Sequence, residues 1–266
     1  MSWNMAHGNR WADLVGYDVD VALLQEAKRP PADWAVKVFP GDAAPWQTAG
    51  YAKREWRTAV ARLSDRVELG ARPTLAVHTE KEQADWTVSR EGTIAAADVL
   101  TNGEVAFTTV SVYSPWDAYV RGRMWADGSA HRILSDLSFL MWSPQHRLVV
   151  AGDWNILYGY GEEGSPRWRA RYQTVFDRAE ALGLVFKGPQ YPDGRQADPW
   201  PVELPTDSQC VPTFHHSQQT PATATRQLDF VFASRSIADR VRTRALNEPE
   251  EWGPSDHCRV LIEVDL

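Results

Sequence analysis

Apolar residues recur along this chain mostly with the two-residue period of β-strands, and only a few segments show a helical period. A period near 3.6 predicts a short helix within 9–17 and longer amphipathic helices near 129–142 and 167–182. The predicted strands are the first residues up to Asn4, 19–26, 57–63, 74–79, 85–90, 93–99, 104–112, 148–151, 228–233, 240–246 and 258–265. Many strands with few, widely separated helices predict an α/β sandwich, in which two sheets pack together with helices outside.

The helical segments carry signals for where they begin and end. Ser129 is placed to cap the first long helix, and Gly183 to end the second. In the short helix, Trp11, Leu14 and Val15 share one face. The Pro-rich segment 186–226 predicts an irregular loop, and a loop of that length inside a compact domain is usually functional or disordered.

Composition narrows the class of protein. The chain has 266 residues, 43% of them hydrophobic and 24% charged, which suits one large globular domain or two small ones. Its net charge of −7 argues against a broad basic face that coats nucleic acid. The distant Cys210 and Cys258 do not suggest a disulfide framework. With no signal-peptide pattern and no apolar run near ~20 residues, we expect a monomeric cytoplasmic protein without a membrane span.

Polar side chains gather where predicted strands end. Each has an ordinary explanation as a turn former, a helix cap or a solvated strand end. Together, carboxylates with an Asn and a His are ligands that Mg²⁺ or Mn²⁺ prefers, and such a site suits hydrolysis of a phosphate ester. No thiolate and no second His ligand are apparent near Glu26 or Asp256, which counts against zinc. The residues concerned are Asn4, Glu26, Tyr113, Asp153, Asn155, Asp229, Asp256 and His257.

Six short motifs, in this order, resemble a known group of enzymes: "SWNM", "LLQE", "VYSP", "GDWN", "LDFVF" and "SDH". The series is similar to the endonuclease/exonuclease/phosphatase superfamily, the group of DNase I, exonuclease III, sphingomyelinases and inositol polyphosphate 5-phosphatases. The resemblance runs from Asn4 to His257. It implies a four-layered αββα sandwich, a single catalytic domain over residues 1–266, and Mg²⁺-dependent phosphoester hydrolysis.

The resemblance also implies a metal site. Carried over to this chain, it makes Glu26 the principal ligand of Mg²⁺ or Mn²⁺, with Asn4 and Asp256 nearby.

Catalytic roles are implied in the same way. Asp153 would orient or deprotonate the attacking water, and Asn155 would hold a phosphate oxygen. His257 would contact the phosphate or serve as the acid/base group, with Asp229 fixing its tautomer and raising its pKa. Tyr113 matches the tyrosine that exonuclease III-like members place against the phosphate or leaving group. Whether Asp153 or His257 is the general base stays open.

Two departures from the family's motifs bear on the substrate, the first of them in a segment that resembles the apurinic endonucleases. Thr213 and Phe214 match that group, but His215 and Arg226 stand where it carries Trp, which puts abasic-site repair in doubt. Trp154, where a smaller apolar residue is usual, either fills the core or forms a platform under a base.

The loop after Tyr113 offers a phosphate-and-base surface through Trp116, Arg121 and Arg123, unless it is simply a solvated loop. That loop favours a nucleic acid substrate, DNA or RNA, cut by an endo- or exonuclease. The acidic charge favours a small phosphate ester such as a nucleotide, inositol phosphate or lipid head group. A binding protein on the same fold is the alternative from another class.

Overall fold

The computed structural model describes residues 1–34, 37–41, 46, 55–77, 86–120 and 123–266, with the side chains of 117–120 and 123–125 left aside. Within these residues, the strands form two mixed sheets of six strands each and two small two-stranded ribbons. The two sheets pack face to face, as the sequence pattern predicts.

The first sheet holds both ends of the chain. From edge to edge its strands are β15 (Val241–Leu246), β16 (Arg259–Val264), β1 (Ser2–Asn4), β2 (Val21–Lys28), β4 (Trp56–Arg62) and β3 (Val38–Phe39). Strands β1 and β2 are parallel, whereas the other neighbours are antiparallel.

The second sheet comes from the middle of the chain. From edge to edge its strands are β13 (Leu184–Gly188), β14 (Asp229–Ser234), β12 (Leu148–Asp153), β9 (Glu104–Tyr113), β8 (Ile94–Thr101) and β5 (Glu68–Arg72). Strands β9 and β12 are parallel and the other pairs antiparallel. The small ribbons are β6 (Leu75–Ala76) with β7 (Thr87–Val88), and β10 (Asp117–Val120) with β11 (Arg123–Trp125). Of the predicted strands 74–79 and 85–90, the described residues form two strand residues each, and 78–85 lies outside the described residues.

Two α-helices cover the outer face of the second sheet. The first, α1 (Ala126–Leu137), continues into a 3₁₀ turn at Ser138–Met141. The second, α2 (Pro166–Ala181), is capped by Ser165 and has Pro at its first position, and its apolar face packs on the sheet. Gly183 follows it with φ +83°, the conformation expected of a helix stop. Among the described helices none is long and apolar enough to cross a membrane.

Two local predictions about helices are wrong. Ser129 does not cap α1, because the helix begins three residues earlier and buries this side chain. The segment 9–17 forms only the 3₁₀ turn Trp11–Leu14, which lies over the outer face of the first sheet. Val15 is 70% exposed rather than on the buried face, since the chain turns extended there.

Alternation along β12 shows how the layers are built. Val149 and Ala151 enter the core between the two sheets, whereas Leu148 and Val150 enter the core beneath the helices. In the part of the chain that the structure describes, the order of layers is thus 3₁₀ turn, sheet, sheet and helices, and the predicted four-layered α/β sandwich is confirmed.

The strand directions bring the polar motifs to one edge of the sandwich. Strands β1, β2, β9 and β12 end at this edge, and the antiparallel strands β14 and β16 begin there. Side chains at these ends come from both sheets and face one another across the seam between them.

Candidate active site

Glu26 lies at a bulge near the end of β2. The register of β2 against β4 shifts between Leu24 and Ala27, and Glu26 has φ +50°. Its carboxylate is largely buried, lies 2.6 Å from Nε2 of His7, and accepts a hydrogen bond from the hydroxyl of Tyr113. Burial alone would raise the pKa of Glu26, but the hydrogen bond and charge of His7 outweigh it and lower this pKa. The carboxylate is therefore ionised at neutral pH.

His7 is a site residue that the sequence reasoning missed. The expectation of no further imidazole near Glu26 is wrong, because the turn after β1 carries His7 to that carboxylate. Ala6 and His7 both have left-handed backbone, and the amide of Ala6 donates to Oδ1 of Asn4 at 2.9 Å. Strand pairing explains this position: β1 and β2 pair in parallel with Asn4 opposite Gln25, so a residue just past Asn4 falls beside Glu26, and no pattern in the sequence around His7 signals it.

Asn4 and Asp153 join the two sheets. Nδ2 of Asn4 donates to Oδ2 of Asp153 at 2.9 Å, and the backbone and side-chain N–H groups of Asn155 donate to the same carboxylate. Burial raises the pKa of Asp153, and the charges of Asp229 and Glu26 raise it further against the opposing charge of His257.

His257 stands between two buried carboxylates. Its Nδ1 is 2.8 Å from Oδ2 of Asp229, and its Nε2 is 3.9 Å from Oδ2 of Asp153. Burial alone would lower the pKa of His257, but these two carboxylates outweigh it and raise this pKa. Oδ1 of Asp229 is buried and finds no hydrogen-bond partner among the described residues.

Buried Thr213 holds this pair in register. Its hydroxyl accepts from the backbone N–H groups of Leu228 and Asp229, and its carbonyl accepts from the amide of Cys258. Thr213 therefore fixes the start of β14 against the start of β16, which sets the distance between Asp229 and His257.

The motif around Asp153 is explained by the alternation of β12. Asp153 continues the face of Ala151 toward the seam, and Trp154 points the other way into the core beneath the helices. Trp154 is fully buried, with its ring 5.1 Å from that of Phe232, so it fills the core and offers no platform for a base. Gly152 has φ +155°, and a Cβ there would collide with the backbone of Val112.

Tyr113 and Trp116 complete the described wall of the site. Tyr113 packs edge-on against Trp56, with ring centroids 5.1 Å apart. Nε1 of Trp116 donates to Oδ1 of Asn155 at 2.7 Å, so in this structure Trp116 contacts Asn155. Of the predicted cations, Arg121 lies outside the described residues, and Arg123 lies on β11 with its side chain undescribed.

Asp256 sits at the rim of the site, half-buried. The hydroxyl of Ser255 donates to the backbone carbonyl of Asn4 at 2.7 Å and lies 3.4 Å from Oδ1 of Asp256, which links this loop to β1. Among the residues that the structure describes, no three His, Cys, Asp or Glu side chains converge as a ready-made metal cage. The ligand set of Glu26, Asp256 and Asn4 stays a prediction.

Three residues that were compared with the apurinic endonuclease pattern lie close together: Phe214, which matches it, and His215 and Arg226, which depart from it. Phe214 packs on His257 with ring centroids 4.9 Å apart. His215 lies 5.5 Å from the ring of buried Trp252, and Arg226 pairs with Glu162 at 2.9 Å.

Fold and site together define an α/β sandwich with a carboxylate–imidazole site at the seam of its sheets. The chain belongs to the endonuclease/exonuclease/phosphatase family, whose sequence profile matches residues 1–257. This is a family of nucleases and phosphatases, so the resemblance drawn from the six motifs is confirmed.

Solved structures share the fold at low sequence identity. The endonuclease domain of TRAS1, a telomere-specific non-LTR retrotransposon, is 16% identical over 100% of this chain and 97% of that chain, with a TM-score of 0.60. The AP endonuclease LMAP from Leishmania major is 16% identical over 100% and 87%, with a TM-score of 0.58. The 3′ phosphatase NExo from Neisseria, solved bound to a product DNA hairpin, is 16% identical over 100% and 98%, with a TM-score of 0.56. A comparison with curated protein sequences finds no match.

Proposed function

We propose that this protein is a divalent-metal-dependent phosphodiesterase that hydrolyses DNA or RNA as an endo- or exonuclease. One observation carries the proposal: Asp153 and Asp229, at the edge of one sheet, lie across the seam from His257 and Glu26, at the edge of the other. Each of these side chains is buried or nearly so, which is costly for charged groups unless they act on one another or on a ligand. The similar structures are those of two endonucleases and a phosphatase bound to DNA, which supports a nucleic acid substrate.

The donor set at Glu26 fits Mg²⁺ or Mn²⁺. Glu26 is a buried, ionised carboxylate whose counter-charge in the structure is an exposed imidazole that a metal ion can displace or join. We assign Glu26 as the principal ligand, with Asn4 and Asp256 as nearby oxygen donors. Such an ion, when bound, neutralises the phosphate and stabilises the charge that develops in the transition state.

The protein side chains handle the proton and the orientation of the water. Asp153 receives three N–H bonds from Asn4 and Asn155, which fix its carboxylate to orient or deprotonate the attacking water. Nδ1 of His257 is committed to Asp229, so Nε2 is the nitrogen that contacts the phosphate or passes a proton to the leaving group.

Asn155 and Tyr113 are assigned to the phosphate and leaving group. Oδ1 of Asn155 accepts a hydrogen bond from Trp116, and Nδ2 of Asn155 donates to Asp153. Nδ2 is therefore placed to donate to a phosphate oxygen when it exchanges one of its present hydrogen bonds for one to the substrate. The hydroxyl of Tyr113 bonds to Glu26 and is thereby held at the metal side of the site.

A small phosphate ester is the second candidate substrate. Two observations favour it: the net charge of −7, and the pairing of Arg226 with Glu162, which ties down one cation near the site.

Variants and a substrate panel test the proposal. Glu26→Ala, Asp153→Ala and His257→Ala are each expected to abolish Mg²⁺- or Mn²⁺-dependent hydrolysis of an activated phosphodiester while the protein stays folded. His216→Ala, at an exposed position, is the matched control. Full activity in EDTA, or in His257→Ala, rejects the assignment. The panel comprises plasmid, single-stranded DNA, abasic duplex, RNA, nucleotides, inositol phosphates and sphingomyelin. If only a small ester is hydrolysed, the proposed substrate changes from nucleic acid to that ester.

A further inference from the structure

His7 is placed where the fold has no need of it. Its side chain is 53% exposed while that of Glu26 is 11% exposed, and an ion pair with one partner so exposed contributes little to stability. Yet both Ala6 and His7 adopt the left-handed backbone that non-glycine residues disfavour. The ion pair alone does not account for that conformation.

Hydrogen bonds define the turn that carries His7 and connect this turn to the proposed metal site. Oδ1 of Asn4 accepts from the amide of Ala6 at 2.9 Å, and the amide of Gly8 donates to the carbonyl of Met5 at 2.9 Å. The amide of Met5 in turn donates to the carbonyl of Gln25, the neighbour of Glu26, at 2.8 Å. The turn is therefore anchored on both strands whose ends form the metal side of the site.

The imidazole ring is also fixed in orientation. It stacks on Trp56, with ring centroids 4.5 Å apart and an interplanar angle of 30°. Trp56 packs in turn on Tyr113, whose hydroxyl bonds to Glu26. This arrangement holds Nε2 of His7 against Oε2 of Glu26, 2.6 Å apart, so both atoms lie together at the proposed metal site.

We infer that His7 is a nitrogen ligand of the divalent ion held by Glu26, and that it makes the site prefer Mn²⁺ over Mg²⁺. Imidazole nitrogen binds first-row transition-metal ions well, whereas Mg²⁺ favours oxygen and gives up its water reluctantly. The inference rests on the proposed function, because it takes Glu26 as the metal ligand.

The competing explanation is that His7 only caps Glu26 when no metal is bound. The two explanations predict opposite signs for the loss of His7. A cap competes with the metal, so its removal tightens binding of both ions. A ligand contributes to binding, so its removal weakens Mn²⁺ selectively.

The experiment measures metal binding itself by isothermal titration calorimetry of EDTA-dialysed full-length protein with MnCl₂ and MgCl₂. For His7→Gln we expect the Kd for Mn²⁺ to rise about 10-fold or more, the loss typical of a removed metal-site partner, while the Kd for Mg²⁺ changes much less. His216→Gln is the matched control and keeps the wild-type values. Unchanged or tighter Mn²⁺ binding in His7→Gln overturns the inference.

Pulsed EPR of bound Mn²⁺ gives a second readout. Coupling to an imidazole nitrogen is expected in the wild type and in His216→Gln and is lost in His7→Gln; coupling that persists in full overturns the inference.

Glu26→Gln separates the two proposals. If Glu26→Gln abolishes metal binding while His7→Gln leaves metal binding unchanged, only the proposed role of His7 fails. If the wild type binds neither ion, or Glu26→Gln binds both normally, the metal assignment fails and His7 with it. Metal binding through His7 without nucleic acid hydrolysis would reject the proposed substrate alone.

Discussion

The substitution Asp229→Asn tests what the buried carboxylate next to Nδ1 of His257 contributes to catalysis. The substitution keeps the size of the side chain but removes the charge that faces Nδ1 at 2.8 Å. A hydrogen bond between charged groups contributes about 1.5–3 kcal/mol. Since 1.36 kcal/mol corresponds to a factor of ten in rate, we expect kcat to fall by roughly 10- to 150-fold.

The same variant has a pH signature whose sign follows from the structure. Asp229 and Asp153 raise the pKa of His257 to about 10, above its unfolded value of about 6.5. A raised folded-state pKa stabilises the protein fully below the unfolded value, and this stability is lost as pH rises through the folded value. Wild type and Asp229→Asn should therefore differ most in unfolding free energy near pH 6, and this difference should shrink toward pH 10.

Three measurements check this: kcat on a labelled oligonucleotide or activated diester, urea unfolding at both ends of that pH range, and the titration of His257 by NMR. Asp239→Asn, at an exposed position, is the control and should match the wild type. A kcat within threefold of wild type, or an unchanged pKa of His257 in Asp229→Asn, would refute the reasoning.

Two further variants probe the support of the site. In urea unfolding, Gly152→Ala should lower the free energy of unfolding by about 3 kcal/mol or more, since it adds strain and a backbone collision with β9. Its control is Gly128→Ala, which has open space around it in α1 and should instead stabilise the protein by up to about 1 kcal/mol in the same assay. Trp116→Phe removes the hydrogen bond to Asn155, worth about 0.5–1.5 kcal/mol, and should lower kcat by roughly 2- to 10-fold, whereas Trp142→Phe, at a highly exposed position, should not. Wild-type stability in Gly152→Ala, or equal kcat values in the two Trp variants, would contradict these expectations.

Sequence patterns predicted the central strands and the edge where the site lies, because buried strands have strong periodicity and end abruptly in polar residues. They missed β5 at the edge of the second sheet, where Glu68–Arg72 is partly exposed and shows little apolar alternation. His7 was missed for a different reason: its position depends on the parallel pairing of β1 with β2 and on a turn of unusual backbone, and neither is visible in the letters around it. The choice between core and platform for Trp154 depends on which face of β12 this residue takes. That face is known only from the register of β12 against its neighbouring strands.

The hydrogen bond from Asn4 to Asp153 spans 149 residues of chain and connects one sheet to the other. Contacts this distant in sequence form late, because the chain must close a long loop before any of them is gained. Neither sheet alone holds both Glu26, the proposed metal ligand, and Asp153, the proposed residue for the water, so under the proposed function a half-assembled chain has no catalytic power. Turnover is consequently a stringent reporter of native packing for this protein. Recovery of activity during refolding should coincide with the docking of the two sheets rather than with the earlier appearance of strand structure.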